Sequence, residues 1–407
     1  MNLILAIEAI QPPLAGIGRY AWELATRLPQ HADIDSVRFM ADGYWKALPD
    51  LSLSNQNSST ATQEVAGTLP SRRLPNSVQS ILSSVRRQAG RLSLVANAYG
   101  KIMPMLAANR LNRVSDAIFH GPNYFVPKTH LPTVLTVHDL SIYRYPQWHP
   151  KARVERMLEA IPASIQRANL ILTDSEAIRL EVLQEFNVSP EQVRTVLLGV
   201  GQEFHPRSHE ELKPVLQQFG LQADTYCLFV STIEPRKNLT NLLAAYRELP
   251  LPLRARYPLV LAGGGGWQSD AIHTDIARAQ SEGWLHYLGF VDQHWLPFLY
   301  AGCRLFAYPS WYEGFGLPIA EAMASGVPVL TSNCSSMPEV AGGAALLVEP
   351  ADVSSIRVNL QRGLEDEAWR LIAKQAGLQR AAELTWDACV HNTANAYRQV
   401  KQAYRRA

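Results

Sequence analysis

The sequence predicts an α/β fold of two parallel-sheet domains in series, each sheet covered by helices on both faces. Three observations carry this. Short apolar runs alternate with segments of helical spacing, the mark of βαβ units. That alternation pauses around Gly199–Pro206 and then restarts in the same order. A chain of 407 residues is also too long for one ordinary domain and suits two of roughly 200.

The elements follow in order. Leu3–Ile7 is a short apolar run, hence a first strand. A Pro/Gly turn holding Gly16 and Gly18 leads into an amphipathic helix over Tyr20–Leu28. Val37–Ala41, Ala117–Phe119, Thr133–Val137, Leu170–Thr173 and Val193–Leu198 read as further strands, because strands buried on both faces are continuous apolar runs. In the second half, strands are expected at Tyr226–Ser231, Leu259–Ala262, His286–Leu288, Cys303–Tyr308, Val327–Leu330 and Ala345–Val348. Helices fit Thr240–Leu249, Ala271–Glu282, Leu296–Ala301, Pro318–Ala324 and the stretch beyond Ser354. These divide the chain into domains at 1–202 and 203–385, with one or two closing helices over 386–407.

One stretch breaks the pattern. Val65–Val114 holds Arg72, Arg73, Arg86, Arg87, Arg91, Lys101, Arg110 and Arg113 and no acidic residue. Its apolar residues Val78, Ile81, Leu82, Val85, Leu92, Val95 and Ile102 recur at near-helical spacing. A basic amphipathic helix of this kind fits the surface of an anionic membrane.

Composition excludes several classes. The net charge of +2 argues against a dedicated nucleic-acid binder. Cys227, Cys303, Cys334 and Cys389 are scattered without a CxxC, which fits free thiols in a reducing compartment and gives no metal signature. MNLILAIEAI lacks a basic n-region and carries Glu8, so it reads as a strand rather than a signal peptide. No apolar run reaches about 18 residues, so none is long enough to span a bilayer.

The chemistry should lie where strands end, since doubly wound sheets bind ligands at their carboxyl edges. Glu234-Pro-Arg-Lys-Asn238 follows one expected strand and precedes a helix, with Asn238 placed as N-cap. Arg236 and Lys237 then stand at the positive end of a helix dipole, which costs roughly 0.3–1 kcal/mol each unless an anion is present. A diphosphate supplies that anion, held by backbone N–H groups, a guanidinium fork and an ammonium. Pro309–Pro328 follows another strand. Its Gly314 and Gly316 allow close backbone approach, Pro318 suits the first helical position and Gly326 the C-cap. Glu313 precedes the helix and Glu321 lies about one turn inside it, both able to accept hydrogen bonds from sugar hydroxyls.

Together, EPRKN and the Glu313-x7-Glu321 segment resemble the retaining glycosyltransferases of family 4, whose architecture is GT-B: two Rossmann-like domains facing across a cleft. The resemblance covers nearly the whole chain. It includes the loop Gly16-Ile-Gly-Arg-Tyr20, His138-Asp139 after Thr133–Val137, Asp174-Ser175 and the run Gly263–Gly266. It implies that Arg236 and Lys237 hold the pyrophosphate and offset leaving-group charge. Glu321 would hold the ribose. Glu313, with the backbone of Gly314, Phe315, Gly316 and Leu317, would orient the transferred sugar. Gly16 and Gly18 would approach the phosphate from the other domain, and His138 would lie near the donor sugar.

The resemblance further implies front-face attack, with the departing phosphate helping to deprotonate the acceptor and no protein nucleophile. PPLAGIGRY is similar to bacterial mannosyl- and rhamnosyltransferases of surface-polysaccharide assembly. That implies GDP-mannose or GDP-rhamnose as co-substrate and a saccharide or polyprenyl-linked acceptor; no cofactor is expected, and the basic stretch 65–114 points to work in the cytoplasm at the inner membrane face. Asp33-Ile-Asp35 is formally a DxD metal signature, but it precedes its strand and so reads as a solvated loop, and no metal is expected. A phosphorylase or hydrolysing epimerase of similar shape, a silent nucleotide-sugar-binding subunit and a dehydrogenase are the competing classes. The last is disfavoured because the Gly16 loop lacks the third glycine of the dinucleotide fingerprint.

Overall fold

The computed structural model describes residues 1–406 except Pro13, Ala15, residues 51–102 and Pro104. The basic stretch 65–114 therefore lies almost entirely outside the described residues. In its described end, residues 105–111 are helical. There Leu111 is buried, and Arg110 donates to the Gly43 carbonyl at 2.8 Å while lying over the Tyr44 ring.

The first sheet contains β1 (Asn2–Ala6), β2 (Ser36–Ala41), β3 (Tyr44–Lys46), β4 (Ile118–Gly121), β5 (Thr133–Val137), β6 (Leu170–Thr173) and β7 (Val193–Thr195). Their order is β3-β2-β1-β4-β5-β6-β7. The second sheet contains β8 (Cys227–Val230), β9 (Leu259–Ala262), β10 (Leu285–Tyr287), β11 (Leu305–Tyr308), β12 (Val329–Ser332) and β13 (Ala345–Val348), in the order β10-β9-β8-β11-β12-β13. Every strand pair of the second sheet is parallel. Both orders reverse direction once, between β1 and β4 and between β8 and β11, as doubly wound sheets do.

The strands are the core. β5, β6, β9, β11 and β12 are buried at every residue. Each aliphatic or aromatic side chain removed from water there contributes about 1.5–3 kcal/mol. Most expected strands lie within a residue or two of their observed bounds. Val193–Leu198 is an exception, ending at Thr195, and the first helix starts earlier than expected, at Ile17. β3 was not expected at all. It pairs antiparallel with β2 across Asp42-Gly43, both at positive φ (51° and 72°), the geometry for which Asp-Gly is favoured.

Contacts divide the chain into compact units Met1–Thr133 and Val134–Ala407, a division that falls inside β5, whereas the change of sheet comes between β7 and β8. The closing segment is one helix, Trp386–Arg406, with Trp386, Cys389, Val390, Ala394, Tyr397 and Val400 buried. Its entry is tied by a hydrogen bond from Val200 N to the Leu384 carbonyl at 2.9 Å. Asp35 of the DxD sequence is 75% exposed and pairs with the Met1 amine at 2.7 Å. None of the four cysteines is joined in a disulfide. Among the described residues no helix is long and apolar enough to cross a membrane.

Candidate active site

The second sheet reverses its order between β8 and β11, and the loops after these two neighbouring strands carry the site. After β8 the chain makes a single 3₁₀ turn, Pro235–Lys237, before the helix Leu239–Arg247. Asn238 occupies the N-cap position, but it does not cap as expected. It is left-handed (φ 57°), and its amide donates instead to the carbonyls of Pro309 and Pro350, at 2.9 and 2.8 Å. Those carbonyls follow β11 and β13, so Asn238 ties three strand ends together. Arg236 and Lys237 are thereby set ahead of the helix rather than on its first turn.

Both cations reach Glu313. Arg236 Nη1 lies 2.9 Å from Glu313 Oε2, and Lys237 Nζ lies 2.7 Å from Oε1. Arg236 also pairs with Glu234 at 2.8 Å and donates to the Tyr312 carbonyl at 2.8 Å. Tyr308, at the end of β11, accepts from Lys237 Nζ at 2.7 Å and donates to Glu313 Oε1 at 3.0 Å. Two buried carboxylates thus balance two cations, the condition for holding charges out of water. Burial alone would raise the Glu313 carboxyl, but Arg236 and then Lys237 outweigh it and hold it down to about 2. Burial alone would lower Arg236, and Glu313 and Glu234 reverse this and raise it. The sequence reading assigned Glu313 to a sugar and the cations to a phosphate; the structure brings the three side chains into direct contact.

The loop after β11 is fixed by its backbone. Ser335 and Ser336 hydroxyls both donate to the Glu313 carbonyl, and Ser336 donates also to that of Phe315, at 2.8 Å. A Cβ on Gly314 would lie 2.0 Å from the His138 carbonyl oxygen, so only glycine fits there. Gly316 sits at φ 104° as the N-cap of the helix Leu317–Ala324, with Pro318 in its first turn and Gly326 just past its end. Phe315 is buried and Leu317 partly exposed. Glu321 is partly exposed and stands beside Tyr300, whose phenol is raised by burial first and then by Glu321.

At the ends of β5 and β6, His138 Nδ1 lies 2.7 Å from Asp174 Oδ2, both side chains buried. Burial raises the Asp174 carboxyl, and His138 opposes it. Ser175 donates to the Gly314 carbonyl at 2.8 Å. Tyr312 Oη accepts from Leu140 N and donates to Glu181, at 2.9 and 2.8 Å. Gly16 and Gly18 belong to the Met1–Thr133 unit. Gly16 is the N-cap of Ile17–Arg27 at φ 44°, and a Cβ on Gly18 would sit 2.8 Å from the Ala9 carbonyl. The sequence had named Asp174 but not as the partner of His138. Glu234, Tyr308, Tyr312, Ser335 and Ser336 were missed as supports, because their roles depend on pairings between distant strand ends. Among the described residues no cluster of His, Cys, Asp or Glu is arranged to hold a metal ion.

Residues 216–381 match the family described as Glycosyl transferases group 1. The chain is 40% identical over 399 residues to the O-antigen chain mannosyltransferase B of Escherichia coli, covering 98% of this chain and 100% of that protein. The chain belongs to the group 1 glycosyltransferases. A second relative is the MMP alpha-(1->4)-mannosyltransferase of Mycolicibacterium hassiacum, 30% identical over 67% of this chain and 66% of that one. Among solved structures, Anabaena HepE in complex with UDP and glucose superimposes with a TM-score of 0.70 at 16% identity, over 98% of this chain and 100% of that one. WaaG, a glycosyltransferase involved in lipopolysaccharide biosynthesis, gives 0.67 at 14%, over 97% and 99%. The fold is therefore that of the GT-B glycosyltransferases, two parallel-sheet Rossmann-like domains. The region of this glycosyltransferase matched by the family contains Arg236, Lys237, Glu313 and Glu321; His138, Asp174 and the Gly16 loop lie outside it.

Proposed function

We propose that this glycosyltransferase is a retaining, metal-independent hexosyltransferase that transfers mannose from GDP-mannose, with GDP-rhamnose the nearest alternative donor. The acceptor is a saccharide or polyprenyl-linked saccharide of a cell-surface polysaccharide. The observation that carries the reading is the Arg236–Lys237–Glu313 cluster, with Lys237 and Glu313 buried and Arg236 partly exposed, at the β8/β11 reversal, where doubly wound sheets take nucleotides. The names of the relatives support mannose and O-antigen, and the UDP complex of HepE supports a nucleotide donor.

In this reading the donor diphosphate displaces the Glu313 carboxylate from Arg236 and Lys237. The guanidinium offers a planar fork and the ammonium a point charge. Released, Glu313 accepts a hydroxyl of the sugar beside the Gly314–Leu317 backbone. Glu321 accepts from the ribose, Gly16 and Gly18 approach the phosphate, and His138, its ring oriented by Asp174, lies near the sugar. The bond from C1 to the diphosphate oxygen breaks, and the acceptor oxygen bonds C1 on the same face. The acceptor proton passes to the departing phosphate oxygen. Catalysis then rests on positioning and on stabilising the leaving diphosphate. The two-carboxylate scheme of most retaining glycosidases is not needed.

The domains in this reading are 1–202 for the acceptor and 203–385 for the donor, with 386–407 closing the chain. The basic stretch 65–114 brings the enzyme to anionic lipid at the cytoplasmic membrane face, so the protein should co-sediment with anionic vesicles at low salt and be released as charge is screened. The test of the donor is a panel of nucleotide sugars scored by released nucleoside diphosphate. GDP release from GDP-mannose that survives EDTA is expected. Release from UDP-sugars alone would overturn the donor assignment, and activity lost to EDTA and restored by Mg²⁺ would overturn metal independence.

A further inference from the structure

Beside the charged cluster lies an aromatic surface that the chemistry above does not use. Tyr145 stacks on Trp148 at 4.3 Å and 10°, and leans on Tyr312 at 5.6 Å. Trp148 lies 6.5 Å from Trp311. The Trp267 indole N–H donates to the Trp148 carbonyl, and Arg153 lies 5.9 Å from its ring. Three separate segments supply these rings: the one after β5, the loop after β9 and the loop after β11. Trp148, Trp267 and Trp311 each remain partly exposed. The surface adjoins the charged site, because Trp311 N donates to the Arg236 carbonyl at 3.0 Å.

A second observation comes from His149. It is 7% exposed and packs 6.1 Å from Trp267, yet neither ring nitrogen has a hydrogen-bond partner. A buried polar group left unpaired is costly and calls for an explanation. Burial first, then Arg153 and Arg236, lower its pKa against the pull of Asp139. Burial thus favours the neutral imidazole, which has one N–H donor and one lone pair. Indole faces suit the C–H face of a pyranose, and a donor–acceptor pair suits its hydroxyls. A peptide would call instead for a row of backbone partners at this spot.

We propose that Trp148, Trp267 and Trp311 form a platform on which a pyranose ring of the saccharide acceptor stacks, with His149 as its hydroxyl anchor. The proposal rests on the transferase reading and places the acceptor next to Arg236, with Trp148 supplied by residues 1–202 and Trp267 and Trp311 by residues 203–385. A hydroxyl reaches the imidazole only when a neighbour gives way. Trp267, whose ring lies 6.1 Å from that of His149, is the neighbour that covers it, and its indole is held by the Trp148 carbonyl.

The test uses the full-length chain and methyl α-mannobioside as probe, followed by tryptophan fluorescence and saturation-transfer NMR. Trp267→Leu and Trp311→Leu should each weaken probe binding about tenfold, some 1.4 kcal/mol, while Trp311→Phe, which keeps a ring, retains most of it. GDP affinity should stay within about threefold, and in transfer the acceptor KM should rise while the donor KM does not. His149→Asn, which keeps a donor and an acceptor, should bind better than His149→Phe. Equal binding by wild type and all variants would overturn the platform. So would a wild type that ignores the probe yet releases GDP from the donor, and in that case the transferase reading stands. If no nucleotide sugar is turned over but probe binding still follows the variants, the platform stands as a saccharide site and the transferase reading falls.

Discussion

Glu313 and Asp174 are almost equally sealed from water, at 6% and 4% exposure, and their pKa values move in opposite directions. Glu313 meets a guanidinium and an ammonium, and its carboxyl is held down to about 2. Asp174 meets one imidazole, and burial wins, raising it above the ordinary aspartate range. Equal burial with opposite outcomes shows that the positive charge a carboxylate meets, rather than depth, sets its direction, even though burial and Arg236 lower Lys237 itself. The ends of β8 and β11 therefore hold a charge-dense site of two cations and two carboxylates. The ends of β5 and β6 hold a single pair that orients a ring. The first arrangement suits a diphosphate, the second a histidine beside a sugar.

The largest expected effect comes from removing the charges that create the contrast. Arg236→Ala or Lys237→Ala should each lower kcat/KM by about a hundredfold or more, as when one donor to a developing anion is lost. Each should also destabilise the protein by up to roughly 3–5 kcal/mol, because Glu313 keeps its charge with one partner fewer. Donor turnover and thermal melting measure the two separately. Wild-type kinetics in both variants would remove the phosphate role.

The next effect is a dependence on pH with a definite sign. The folded pKa of Glu313 lies below the ordinary value of 4.5, near 2. Its contribution, on the order of 3 kcal/mol, is therefore present above about pH 4.5 and lost as pH falls toward 2. The stability difference between wild type and Glu313→Gln should shrink over that window in urea titrations. Asp174 has the opposite sign: its raised pKa makes folding less favourable as pH rises through it. Asp174→Asn should consequently cost less stability at neutral pH than Glu313→Gln, and a larger loss would mean that the contrast is misjudged.

Smaller effects sharpen the division of roles. Asp174→Asn should lower kcat by at most about a hundredfold through the His138 ring, with the donor KM little changed. Glu321→Ala should weaken GDP binding by roughly tenfold, the scale of one lost hydrogen bond, and leave transfer from bound donor nearly intact. Equal loss of GDP affinity in Glu321→Ala and Glu313→Ala would reject separate roles for the two glutamates.

Much of this was legible in the sequence because strands buried on both faces leave continuous apolar runs, and because ligand loops follow strands. That logic placed Arg236, Lys237 and Glu313 after β8 and β11 and Glu321 in the helix that follows, and the structure has them at those places. It did not reveal that Glu313 pairs with both cations, since a spacing of 76 or 77 residues carries no signal of contact. Asn238 shows the same limit: its residue type suits a cap, but the carbonyls of Pro309 and Pro350, just after β11 and β13, claim its amide. Asp42-Gly43 was the reverse case, a local turn signal present in the sequence and passed over, and β3 was missed with it.

The exchange of Glu313 for a diphosphate on Arg236 and Lys237 is tested most directly by calorimetric titration of GDP into wild type and into the Arg236→Ala/Lys237→Ala double variant, with guanosine as control. GDP affinity should fall by about a hundredfold or more in the double variant, while guanosine binds both proteins alike. GDP bound equally well by the two proteins, with both folded, would contradict it.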